Sequence, residues 1–232
     1  MPSTDLTCAA SSLLAGLFGA RPVELREAAR NRVSVHYETG VPAAPVLTVC
    51  TGDAVRLPSS VLVRELPQPG PAVVSRRGLQ ASGRTWTVTR WWRPLRPRLS
   101  PLQPPAPTQY VDLSPASLIG RGPGLTPAGD DVVAGALVAA YALSDPRRGP
   151  WAEQTRAALA TNRTTVVSRA LLHHAIDGYG TPELVAFVDA VTGGDGLEEA
   201  AHALLKVGHS SGAALLAGVV HTMTSDELQG VA

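Results

Sequence analysis

The sequence predicts an α+β protein: a small antiparallel β barrel or sandwich over residues 1–93, then a compact α-helical bundle over residues 110–232. Three observations carry this. Short runs rich in β-branched residues crowd the first half. Six prolines fall between Pro94 and Pro107. Ala-rich stretches with helix start and stop signals fill the second half.

In chain order, residues 22–30 (Pro-Val-Glu-Leu-Arg-Glu-Ala-Ala-Arg) favour a short helix by composition. Residues 33–37, 46–50, 61–65, 72–75 and 85–92 read as strands. Turn formers such as Thr51-Gly-Asp53, Pro67-Gln-Pro-Gly-Pro71 and Ala81-Ser-Gly83 separate them. In the last run, Trp86, Val88 and Arg90 alternate with Thr85, Thr87 and Thr89, the period of a half-buried strand. Pro94, Pro97, Pro101, Pro104, Pro105 and Pro107 remove amide donors and disfavour helix before them, so residues 94–109 read as an extended connector.

Helices are expected at 131–143, 151–160, 164–176, 182–191, 197–207 and 212–223. Thr181-Pro182-Glu183 supplies an N-cap and a first-turn proline, while Gly178, Gly193 and Gly208 act as terminators. Small residues (Ala134, Gly135, Ala139 and Ala140 in one helix, Ala213, Ala214, Ala217 and Gly218 in another) allow close helix packing.

The bulk numbers exclude several classes of function. Net charge is +1, which gives no general pull toward nucleic acid or an acidic membrane. Lys206 is the only lysine, and the surplus of arginine with Ala, Gly and Pro has the look of GC-rich coding bias. Arg90, Arg93, Arg96 and Arg98 beside Trp91 and Trp92 make a basic, aromatic patch that a solvated linker explains more simply than nucleic acid. Cys8 and Cys50 are too few for a disulfide scaffold or zinc cluster and are expected as reduced, buried thiols. The first twenty residues lack a basic start, and no stretch approaches a membrane span, so the chain is expected in the cytoplasm.

Three segments can carry chemistry. In Leu118-Ile-Gly-Arg-Gly-Pro-Gly-Leu-Thr-Pro-Ala-Gly-Asp-Asp131, glycines and prolines lead into a helix whose first amides lack intrahelical partners. Such a start can hold an anion. Asp130 and Asp131 stand at the same place and would either cap the helix or hold a hard cation such as Mg²⁺ bridging to a phosphate. The loop is neither a Walker A loop nor a dinucleotide fingerprint.

In Thr161-Asn-Arg-Thr-Thr-Val-Val-Ser168, Thr164 or Thr165 can cap a helix. Ser168 follows a turn later, and the Arg163 fork suits carboxylate or phosphate. Adjacent His173 and His174 point apart, which argues against a joint metal site. In Lys206-Val-Gly-His-Ser-Ser-Gly212, an imidazole and two hydroxyls meet another helix start. The Gly208-His-Ser-Ser-Gly212 run fits the nucleophile-elbow pattern only by spacing, because it joins two helices. The three helix-opening segments are expected to converge on one pocket.

These segments resemble, in order and spacing, the domain-of-unknown-function family 2877, which includes the AllH-like subunit of oxamate carbamoyltransferase. The resemblance is specific over roughly residues 110–220. It implies a role in allantoin and purine-nitrogen breakdown, where oxalurate and phosphate give oxamate and carbamoyl phosphate in a complex of different subunits. Gly124, Thr126, Gly129, Asp130 and Asp131 match its first signature loop, and His209, Ser210 and Ser211 its second. Ala213, Ala214 and Leu215 stand where the family often has polar residues, and Arg121 where an apolar one is expected, which implies altered substrate choice.

Two functions follow as expectations. The first is a carbamoyltransferase-type subunit acting on a small anionic substrate. His209, Ser210 and Ser211 would be catalytic. Gly122, Gly124, Thr126, Gly129, Arg163, Thr164, Thr165, Ser168 and Gly212 would bind substrate, with Asp130 and Asp131 on Mg²⁺. The second is a non-catalytic module that binds an anionic metabolite or nucleotide and regulates or scaffolds a partner enzyme.

Overall fold

The computed structural model describes residues 5–102, 113–161 and 163–223. The chain divides into two units, Met1–Pro94 and Leu95–Ala232.

The first unit is a closed eight-stranded barrel. Its strands are β1 (Asp5–Ser11), β2 (Val23–Arg30), β3 (Ser34–Glu38), β4 (Val46–Cys50), β5 (Ser60–Leu62), β6 (Ala72–Ser75), β7 (Gly78–Ala81) and β8 (Arg84–Trp92). They run around the barrel as β1-β5-β4-β3-β2-β6-β7-β8. Most pairings are antiparallel, as expected, but β1 with β8 and β4 with β5 are parallel.

Of residues 22–30, Val23–Arg30 form strand β2 rather than a helix. Their helix propensity is worth only tenths of a kcal/mol per residue, about the scale, and cross-strand pairing overrides it. β2 pairs with β3 through Arg26↔Glu38 and with β6 through Val23↔Val74, which turns Leu25 into the core. Arg26 ion-pairs with Glu38 across the strands, and Arg30 grips both oxygens of Glu27. The core is built from small and branched residues such as Val35, Leu47, Val49, Val61 and Val74, with Tyr37 and Trp86 as its largest members. Cys8 and Cys50 are free and buried.

The second unit is helical: α1 (Pro115–Leu118), α2 (Ala128–Ala142), α3 (Arg148–Ala160), α4 (Val166–Ala175), α5 (Pro182–Val191), α6 (Leu197–Leu205) and α7 (Ser211–Met223). α2 is its axis, with Val133, Ala134 and every residue from Ala136 to Ala140 wholly buried. A helix apolar all round belongs in an interior. α7 crosses it at backbone contact: a Cβ on Gly135 would lie 2.1 Å from the Leu215 carbonyl oxygen, and one on Gly218 2.0 Å from that of Val132. Among the described residues no helix is long and apolar enough to cross a membrane.

Part of the expected connector lies along these helices. The Leu95 carbonyl accepts from Gly180 N (3.3 Å), Arg98 N donates to Asp189 Oδ1 (2.7 Å), and Ser100 N donates to the Ala142 carbonyl (2.8 Å). The Arg96 guanidinium stacks 3.8 Å over the Tyr179 ring, so this arginine has a packing role that the linker reading did not foresee. Residues 103–109 of the expected connector lie outside the described residues.

Candidate functional site

The three signature segments meet in the helical unit. α1 ends at Leu118 with Ile119 as its C-cap, and Gly120 follows with φ +83°; a Cβ there would lie 2.2 Å from the Arg163 carbonyl oxygen. Only glycine meets both demands. The loop then passes Gly122 and Gly124, both exposed, and enters α2 with Pro127 as its N-cap. Gly129, in the first turn, donates to the Arg121 carbonyl (3.0 Å), and a Cβ on it would strike the Leu118 carbonyl at 2.1 Å. The loop therefore folds back tightly on its own helix.

Asp130 and Asp131 occupy the first turn of α2 and are almost completely buried. Neither is the cap. Asp130 instead brackets the site: Oδ1 accepts from Gly120 N (2.7 Å), and Oδ2 accepts a short hydrogen bond from the Thr164 hydroxyl. One buried carboxylate thus ties the first segment to the second. Thr165 caps α4 by accepting from Ser168 N (3.1 Å), while its own hydroxyl donates to the Leu125 carbonyl. This is a second tie between the same two segments.

The third segment joins through Thr126, whose hydroxyl lies 2.8 Å from that of Ser211 at the start of α7. Gly212 sits where a Cβ would meet the Leu204 carbonyl at 2.0 Å, which holds the α6–α7 turn closed.

Asp131 is the chemically unusual group. Its Oδ2 has no hydrogen-bond partner among the described residues. Burial pushes its carboxyl up to about 7; the Asp130 charge adds to this, and the Ser211 and Thr126 hydroxyls beside it pull the other way. The Ser168 hydroxyl, one turn into α4, is also buried and unpartnered.

Not every expected residue converges. His209 and Ser210 are exposed, and their side chains make no hydrogen bond among the described residues. Arg163 donates from Nη1 to the Ala116 carbonyl (3.0 Å), so one arm of its fork serves α1. His173 and His174 have rings 4.9 Å apart, edge to face, with His174 buried. Among the described residues no group of three or more His, Cys, Asp or Glu is placed to hold a metal ion. With both Asp130 oxygens committed and no cluster of three metal-ligating side chains, the described residues do not build the expected Mg²⁺ site on Asp130 and Asp131.

Gly120 and Leu125 were missed as anchors of the loop. Gly120 had a signal, a glycine directly after a short apolar helical run. Leu125 acts through its backbone carbonyl and had none.

Residues 118–223 match the family model described as oxamate carbamoyltransferase subunit AllH. It is the family that the three segments resemble. No solved structure matches the chain.

Proposed function

We propose that this chain is a subunit of a carbamoyltransferase-type enzyme, and that its three helix starts hold a small, anionic, carbamoyl-bearing substrate. The observation that carries this is the hydroxyl contact between Thr126 and Ser211, 85 residues apart, beside a buried carboxyl. Together with the Asp130 bracket it gathers all the matched motifs into one place.

The reaction would convert oxalurate and phosphate to oxamate and carbamoyl phosphate. A phosphate oxygen attacks the ureido carbonyl carbon, the bond from that carbon to the oxamate nitrogen breaks, and this nitrogen takes a proton. Such a transfer needs donors for substrate oxygens and for the oxyanion that forms on the attacked carbonyl. Amides around Gly122 and Gly124 and the hydroxyls of Thr126 and Ser168 would supply binding groups, whereas the Gly129 and Gly212 amides and the Thr164 and Thr165 hydroxyls are already spent on Arg121, Val207, Asp130 and Leu125. Ser210 and Ser211 would stabilise the oxyanion, and the exposed His209 would carry the proton. The free arm of the Arg163 fork would meet a substrate carboxylate or phosphate. The Mg²⁺ expected from the sequence finds no built site among the described residues, because both Asp130 oxygens are committed, so no step of the proposed reaction depends on it.

A second reading rests on the exposure of His209 and Ser210. Nothing among the described residues orients either side chain, so a partner subunit would complete the catalytic face, and this chain would supply substrate binding alone.

The test is to incubate the pure chain with oxalurate and phosphate, with and without Mg²⁺ and candidate partner subunits, and to assay carbamoyl phosphate. Turnover by the chain alone supports catalysis here. Binding alone, with turnover restored by partners, supports the second reading. Absence of both binding and turnover under all these conditions refutes the proposal.

A further inference from the structure

Where it is ionised, a buried carboxylate oxygen without a partner can be matched by a metal ion, a cationic side chain, or a neutral N–H or O–H donor; otherwise it holds a proton. At Asp131 Oδ2 the described residues argue against the first two. Its neighbour Asp130 is spent on Gly120 and Thr164, and no cluster of three metal-ligating side chains surrounds it. Arg163 turns one arm to the Ala116 carbonyl, and Lys206 is exposed. The third remains. The Thr126 and Ser211 hydroxyls bond to one another and lie beside the carboxyl, yet Oδ2 has no partner among the described residues.

Resting on the reading above, we propose that Asp131 accepts the amide or ureido N–H of the substrate, so that the site selects a planar carboxylate carrying an N–H donor over an isostere that lacks one. The Thr126 and Ser211 hydroxyls, each half-buried, rotate aside to admit this group. The donor comes from the nitrogen end of the substrate, because a substrate anion placed here would be repelled by the Asp130 charge and would offer Oδ2 no hydrogen. Selectivity arises because a ligand without the N–H leaves the buried oxygen unmatched and displaces the hydroxyl pair for nothing.

Oxamate and pyruvate make the test. They share a carboxylate, a neighbouring carbonyl and a single negative charge, and differ by an amide NH₂ in place of a methyl. Calorimetric titration of the full chain at about pH 8, where Asp131 is ionised, is expected to show oxamate binding at least about tenfold more tightly than pyruvate, on the order of one lost hydrogen bond in a buried site. Asp131→Ala is expected to bring the two affinities together, and Asp131→Asn, which keeps an acceptor oxygen, to retain a preference for oxamate. Equal affinities in the wild-type chain, a comparison that needs no variant to fold, overturn the inference and leave the proposed function standing. Failure of oxamate and oxalurate alike to bind, with partner subunits present, overturns the reading on which it rests.

Discussion

Replacing Asp131 with asparagine tests the electrostatics of the α2 start directly. The carboxyl ordinarily ionises near 3.8 but is held protonated to about 7, chiefly by burial. The folded chain therefore keeps a proton that the unfolded chain releases. Stability from this group is fully present below about pH 4 and is lost as pH rises through about 7. At roughly 1.4 kcal/mol per pH unit, the interval corresponds to about 4 kcal/mol. Asparagine has no proton to lose. Asp131→Asn is expected to match the wild type near pH 4 and to exceed it by up to about 4 kcal/mol near pH 8, or roughly 10 °C in melting temperature for a chain of this size. Urea titrations followed by far-ultraviolet circular dichroism, which reports the helices, measure the difference at each pH. The buried histidines titrate in both proteins and cancel. Wild-type and variant stabilities that run parallel from about pH 4 to about pH 8 would refute the account of Asp131 as a carboxyl neutralised by burial.

Other outcomes follow from the same geometry. Asp130→Ala strands the Gly120 amide and the Thr164 hydroxyl and is expected to cost about 3 kcal/mol in chemical denaturation. Gly135→Ala drives a methyl into the Leu215 carbonyl, so it should lower the melting temperature markedly, at a cost of about 2 kcal/mol or more. Thr165→Val removes the α4 cap and is expected to cost about 1 kcal/mol, seen as faster amide exchange in the first turn of α4. His36 and His174, held neutral by burial to about 4 and about 3, give the opposite pH slope from Asp131: the unfolded chain takes their protons first, so stability falls as pH drops below about 6.5. His36→Gln should flatten that loss, and an unchanged acid midpoint would count against it.

Local signals were legible where they sufficed. α5 begins and ends where Thr181, Pro182 and Gly193 say it should, and β4 and β6 coincide with their β-branched runs. Where partners decide, the sequence was mute. β2 has a helix former's composition and is a strand because β3 and β6 flank it. β7 (Gly-Leu-Gln-Ala) has no β-branched residue and was unseen, since only β6 and β8 define it. At the site, the density of Gly, Pro and hydroxyl residues marked the right three segments. The division of labour between neighbouring aspartates was hidden, because Asp130 is defined by Thr164, 34 residues away, and Asp131 by Ser211 at the start of α7. Composition offers no view of such pairings.

The barrel closes through β1, whose two neighbours are β5 and β8. On the ribosome, residues 5–11 must therefore wait until strand β8, ending at Trp92, has been made before their second edge is covered. Until then the nascent sheet carries two unpaired edges, each a template for another chain. Such long-range closure is slow relative to helix formation. Expression at high rate, or loss of the first eleven residues, would thus yield aggregates seeded by β5 and β8, while the helical segments downstream, whose contacts are made later in synthesis, would play no part in starting them.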